Sequence, residues 1–439
     1  MKLHHLLVIA AIGLAASAAA ATEPATNAEM IARGDRLVAR IARRVDTLKA
    51  NAPDILFSRH LQSVMTLVRT DWVRCKLLLD DRPEHGERSL GYMETILEGL
   101  EGEAGTWEPY ARGERALVMA FQSAKDRSVQ PYALTLPSDW DPDDRKAYPT
   151  IVYLHGYVPK PDPLWYVALS FGPKRPTATQ PAATALEPHI TVAPWGRGNA
   201  GYTDGWESDV FEALADAKRT VRIDDDRLSL CGHSMGGFGT WSIGVRTPDR
   251  WAALAIYAGG DRAAPAGTDL AGNLNAVPVY IWHGAKDQAV PVRLARDLAD
   301  ELRRFGHEPI VVIDPEAEHM PPPEAKHAAK AWMLQQRRRP RPEAFTYVAD
   351  TNRHRGVWGV TLRRDSGRDP VPRLRCTIDG NILRIDSQGT TGLTVQLGDD
   401  GLGLSGEVTV VWNGQQAYQG PAKIIDLGDG THWRRRKRD

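Results

Sequence analysis

Apolar residues recur at three- and four-residue steps along the first quarter of the chain. Ile31, Leu37, Val38, Ile41, Val45 and Leu48 form one stripe, with arginines between them. Leu61, Val64, Met65, Val68, Trp72 and Leu77 form a second, and Leu90, Met93, Ile96 and Leu97 a third. This period marks amphipathic helices. Over Ala28 to Leu100 it predicts a small helical cap or bundle whose stripes make its own core.

After "GEAGTWEPYARG", which ends at Gly113, the pattern changes. Short strand-like runs follow, "ALVMAFQSA" and "VQPYALTLP", and then "YPTIVYLHGY", a nearly continuous β-branched and aromatic run. Such a run suits a central strand buried on both faces. Strand and helix signals then alternate: "HITVAPW", a helix over 210–218, "RLSLCGH", a helix after Ser234, "WAALAIYAGG", "VPVYIWHG", a helix over 292–305, "PIVVIDP" and a helix over 328–335. This alternation predicts an α/β fold, a mostly parallel sheet with helices on both faces.

Clustered arginine and proline in "QQRRRPRPE" disfavour both helix and strand. Beyond it, "VWGVTLRR", "RLRCTIDG", "NILRIDS", "LTVQLGD" and "VTVVWNG" alternate and end in turn residues. They predict a small antiparallel C-terminal β-sandwich. The expected division is a leader over 1–21, a helical domain over 22–112, an α/β domain over 113–337, a linker over 338–342, the sandwich over 343–430 and a basic tail over 431–439.

Composition narrows the picture in three places. Lys2 and the apolar, alanine-rich run from Leu3 to Ala21 read as a secretory signal peptide, so the mature chain is expected outside the cytoplasm without a membrane span. The 55 basic residues balance the 55 acidic ones, which leaves no electrostatic case for nucleic acid. Cys75, Cys231 and Cys376 are too few and too far apart for a disulfide framework, and Cys231 reads as a small core hydrophobe. The 13 histidines are scattered, and no zinc spacing, nucleotide loop or haem motif occurs, so no metal or cofactor is expected.

Chemistry concentrates in "LSLCGHSMGGFGTW". A serine hydroxyl attacks only where a base can take its proton, so it must project from the backbone. G-x-S-x-G between a strand and a helix achieves this with a tight turn, the glycines letting strand and helix approach closely. Gly232 and Gly236 stand two residues either side of Ser234. In the order Ser, Asp, His, Asp287 follows the strand "VPVYIWHG" and His319 follows "PIVVIDP". Both leave the carboxyl edge of the sheet, where such folds collect their active sites. Asp261 is the rival acid, whereas His307 and His327 suit surface roles and His233 packing or polar support. The oxyanion calls for two donors: the Met235 N–H, and from the "HGY" turn either the N–H or the hydroxyl of Tyr157.

These stretches, with "GRGNAGY" and "IWHGAKDQAVPV", resemble the α/β-hydrolase superfamily, nearest its prolyl-oligopeptidase-like branch with dienelactone-hydrolase-like and feruloyl-type esterases. The resemblance spans about residues 123–336. It implies the α/β-hydrolase fold, with Ser234 as nucleophile, Asp287 as acid, His319 as base and Tyr157 as the second oxyanion donor. Peptidases of that branch carry a β-propeller, and here a helical segment stands in its place, which turns the expectation towards esters.

Three functions are compatible: an exported serine esterase acting on carbohydrate, aryl or polymer esters, a peptidase with the same machinery, and a non-catalytic polysaccharide-binding protein whose sandwich makes the contact. The proline-rich stretch over 158–183 reads as a loop near the site. Trp165, with Tyr166 and Phe171, is expected on one substrate wall, and Trp195, Tyr202 and Trp206 on the other. Arg197 is expected to brace its loop, against Asp204.

Overall fold

In the computed structural model, which describes residues 25–143, 145–159, 162–172, 185–261, 269–275, 277–339, 342–363 and 371–428, the first stripe becomes helix α1 (Asn27–Ala50). The expected leader 1–21 and basic tail 431–439 lie outside the described residues. Thr26 and Glu29 close a reciprocal capping box at the start of α1, satisfying two otherwise orphaned N–H groups. Helices α2 (Ile55–Leu78) and α3 (Pro83–Glu101) follow, α2 capped by the Asp54 carboxylate and α3 opened by a proline at its first position. A short helix α4 (Glu108–Ala111) leads into the sheet.

The three stripes pack on one another, but also on the sheet, so one core runs from Met30 to Val348. His60 of α2 makes the junction. The N–H of Val118, in edge strand β1 (Leu117–Gln122), donates to its Nδ1 at 2.8 Å. The ring stacks on Phe57 and Phe171. An edge strand otherwise exposes a row of unpaired groups, and here α2 covers it.

The sheet continues with β2 (Val129–Thr135), β3 (Tyr148–Leu154), helix α5 (Pro163–Leu169), β4 (Ile190–Pro194), α6 (Ser208–Lys218), β5 (Ile223–His233), α7 (Met235–Arg246), β6 (Ala253–Tyr257), β7 (Val279–Gly284), α8 (Arg293–Arg304), β8 (Ile310–Asp314) and α9 (Pro323–Leu334). Its order is β1-β2-β4-β3-β5-β6-β7-β8. Only the pairs β1–β2 and β2–β4 at one edge are antiparallel, so β2 alone runs against the other strands. Successive side chains of a strand point to opposite faces. Leu154, Leu230, Leu254 and Ile256 therefore join the core under α6, α7 and α8, while Ile151, Cys231, Ala255 and Tyr257 meet Ala329 and Met333 of α9.

One correction concerns residues 158–183, expected as loop throughout. They contain α5, started by Pro163 and by the Asp162 carboxylate accepting from the Leu164 N–H. Pro at the first helical position needs no partner for its missing N–H, and Leu164 and Val167 are fully buried. Seven residues are too short for a helical period to stand out in sequence.

The C-terminal region forms two sheets around a separate core that includes Tyr347, Val360, Ile385 and Val408. Strands β9 (Ala344–Val348), β12 (Arg373–Asp379), β13 (Ile382–Gln388), β15 (Glu407–Trp412) and β16 (Gln415–Pro421) make one sheet. Strands β10 (Gly356–Val357), β11 (Val360–Arg363), β14 (Gly392–Gln396) and β17 (Ile424–Gly428) make the other. The sandwich is not wholly antiparallel, because β13 and β15 pair in parallel. It docks through Asn273, fully buried, whose amide donates to the carbonyls of Val245 and Val348 and accepts from the Val348 N–H. No described helix is long and apolar enough to cross a membrane.

Candidate active site

Ser234 sits between the end of β5 and the start of α7 with φ 55° and ψ −115°. This region is costly for any residue with a Cβ, about 1–3 kcal/mol. The turn is held by its neighbours: the Ser234 N–H donates to the Tyr257 carbonyl at 2.9 Å, and the Phe238 N–H to the Ser234 carbonyl at 3.0 Å. The flanking glycines answer a steric demand. A Cβ at Gly232 would lie 2.3 Å from the Gly236 oxygen, and one at Gly236 would lie 2.0 Å from the Leu154 oxygen. Strand, turn and helix touch backbone to backbone, which lifts the Ser234 side chain clear of the sheet.

His319 and Asp287 arrive from the loops after β8 and β7. The His319 Nδ1–H donates to Asp287 Oδ2 at 2.8 Å. Asp287 is buried, and its Oδ1 accepts the N–H groups of Ala289 (2.8 Å) and Val290 (2.9 Å). Three donors thus hold the carboxylate; among the described residues no hydrogen bond joins His319 Nε2 to the Ser234 hydroxyl. His233, beside Ser234, donates from Nε2 to the His319 carbonyl at 2.9 Å, with ring centroids 4.7 Å apart. Burial, joined by the charges of His319 and Lys326, brings the His233 imidazole down to about 4, so it stays neutral. This clamp brings the His319 loop against the residue preceding Ser234.

The turn after β3 closes over the same spot. A Cβ on Gly156 would come within 3.1 Å of His233 Nδ1 and 3.4 Å of Ser234 Cβ. Tyr157 follows directly and is 69% exposed. Met235 is the first residue of α7, where helical N–H groups lack intrahelical acceptors and carry the positive end of the dipole.

The expected aromatic walls are arranged otherwise. Trp195 and Tyr202 are 2% and 1% exposed, so their faces are taken by protein. Trp195 stacks on His155 at 5.3 Å, and the Tyr202 hydroxyl accepts from the His155 N–H. Both support the turn after β3 from behind, and small neighbours, Gly196 and Gly239, leave room for the Tyr202 ring. Trp165 is half-buried against Trp195 at 6.1 Å. Trp206 lies apart, under the Lys125 and Arg197 cations. Tyr166 and Phe171 also face inwards, Tyr166 donating to the Ala193 carbonyl. Arg197 does brace its loop, but against Asp126 and Asp209 rather than Asp204. His307 is packed beside the Ala271 backbone, and Asp261 lines a separate small pocket near Arg246 and Arg353. All three cysteines are buried thiols.

Sequence reasoning passed over His283. It is fully buried at the end of β7, its Nε2 2.9 Å from the Val290 carbonyl and 3.2 Å from Asp287 Oδ2. A nitrogen facing a carbonyl carries the proton, so His283 donates to Val290 while its ring lies beside the oxygen that holds His319. Its place four residues before Asp287, at a strand end, was the available signal. Among the described residues no group of His, Cys, Asp and Glu could hold a metal ion.

A model of the Dienelactone hydrolase family matches residues 191–333. The "Putative carboxymethylenebutenolidase" of Methylorubrum extorquens is 35% identical over 117 residues, 26% of this chain and 40% of that protein, so the chain spans under half of that relative's length. Among solved structures, a thermostable esterase aligns with a TM-score of 0.40 and 21% identity, covering 52% of this chain and 64% of that one. A ferulic acid esterase of Anaeromyces mucronatus aligns with a TM-score of 0.37 and 19% identity over 50% of this chain and 90% of that one. In fold the chain is an α/β-hydrolase, and its residues 191–333 match the dienelactone hydrolase family.

Proposed function

We propose that this chain is a serine hydrolase of carboxylic esters, with Ser234 as nucleophile, His319 as base and Asp287 as acid. The observation that carries the reading is the 2.8 Å bond from His319 to a buried Asp287, on a loop clamped beside a serine at φ 55°. In the proposed cycle the Ser234 oxygen attacks the ester carbonyl while its proton passes to His319 Nε2. The N–H groups of Met235 and Tyr157 receive the oxyanion. The alcohol departs with the proton from His319, leaving an acyl-serine. Water then attacks, gives its proton to His319, and the acid leaves as Ser234 regains its hydrogen. Asp287 keeps the imidazole in the tautomer that accepts at Nε2.

Para-nitrophenyl esters offered beside peptidyl-4-nitroanilides test the substrate class. Ester turnover that disappears in Ser234→Ala, with fluorophosphonate labelling of Ser234, is the expected result. Turnover of the amides alone would assign a peptidase instead. The family match over 191–333 and the curated relative support a hydrolase acting on small esters. The reading puts ester recognition in the α/β domain, which carries Ser234, Asp287 and His319; the sandwich has a groove of about 580 Å³ lined in part by Asp399, Ser405 and Glu407. Export rests on residues 1–21. N-terminal sequencing of the mature protein is expected to begin after Ala21, and an intact Met1 would overturn export.

A further inference from the structure

The sheet face that carries α9 holds a cavity of about 540 Å³ that the proposed reaction does not use. The volume is within the range of small-molecule sites, about 300–1,000 Å³. Ile151, Tyr153 and Tyr257 form an apolar and aromatic floor, and Lys326 and Lys330 of α9 stand on its wall. Four residues apart, these lysines share one face of the helix. Neither ammonium reaches a carboxylate among the described residues. Lys326 is held below the usual lysine range by burial and by Lys330, with no acid offsetting either. Two half-buried cations over an apolar floor are an arrangement that a molecule joining an anionic head to an apolar body would complete.

His233 also lines this cavity, and its Nε2 is the donor to the His319 carbonyl. The wall of the cavity and the loop of the catalytic imidazole therefore share one side chain.

We propose that this cavity is a second binding site, for a monocarboxylate with an apolar body, whose head pairs with Lys326 and Lys330 and whose body lies on Tyr153 and Tyr257. Ser234, Asp287 and His319 are not among its described lining residues, and its occupancy does not depend on catalysis.

The test is isothermal titration of benzoate and of octanoate into the full chain carrying Ser234→Ala, so that a failure of ester cleavage leaves the readout untouched. Binding is expected to weaken at least about tenfold in K326Q/K330Q, which loses both charge-assisted bonds to the head. The single variants K326Q and K330Q, each keeping one cation, are expected to bind with intermediate affinity. Raised salt should weaken binding in the parent more than in the double variant. Benzoate alone binding identifies an aromatic acid as the ligand, and octanoate alone a fatty acid. Equal affinity in K326Q/K330Q and its parent, or no heat from either acid at millimolar concentration, overturns the site.

Discussion

Arg246 and Asp350 tie helix α7 to the β-sandwich through two parallel hydrogen bonds, Nε to Oδ1 at 2.9 Å and Nη2 to Oδ2 at 2.5 Å. Their side chains are 17% and 6% exposed. Arg246 closes the helix that begins beside Ser234, so the sandwich is fastened to the far end of α7. Truncating one partner leaves the other charge buried, a loss of about 3 kcal/mol or more. Asp350→Ala is therefore expected to lower the urea midpoint strongly. The double replacement Arg246→Met with Asp350→Leu should recover most of that loss, because no charge is then stranded.

The backbone at Ser234 predicts a trade between activity and stability. Ser234→Gly removes the proposed nucleophile, and glycine adopts positive φ without a Cβ penalty. The variant should be inactive yet more stable by about 1 kcal/mol, as measured by thermal melting. A destabilised variant would show that the turn is not strained.

His283 offers a readout separate from folding. Removing its N–H beside Asp287 Oδ2 loosens the carboxylate that orients His319. His283→Ala is expected to lower kcat by about 10–100-fold with little change in KM. His283→Gln, whose amide reaches the place of Nε2, should restore much of the rate. A purely structural role would lower thermal stability in both variants and leave kcat intact.

Acid should weaken the junction between the helices and the sheet. Burial brings His60 down to about 4, against about 6.5 in an unfolded chain. Between these values the unfolded chain binds the extra proton, so the stability this group contributes is present above pH 6.5 and is lost as pH falls towards 4. The loss amounts to up to about 3 kcal/mol. His60→Gln keeps an acceptor for the Val118 N–H but cannot take up the proton. Urea titrations at pH 7 and pH 4.5 should then differ less in the variant than in the parent. His233, also near 4, contributes a share that remains in both.

Much of this arrangement was legible along the chain because it is local. Helical stripes, buried strands and the G-x-S-x-G turn each arise within a dozen residues, where periodicity and backbone sterics decide the outcome. The order Ser234, Asp287, His319 was readable since each residue follows its own strand. Tertiary packing alone decided the rest. Asp126, 71 residues before Arg197, became its partner in place of nearby Asp204, which is exposed. Trp195 and Tyr202 turned inwards because Gly196 and Gly239 made room for the Tyr202 ring and His155 offered Trp195 a stacking face. His283 met Asp287, α5 was stabilised by burial too brief to leave a period, and β15 came to lie parallel to β13. A periodic pattern states which face of an element is apolar. It does not state which distant surface will cover that face, since that choice depends on shape and volume across the whole core.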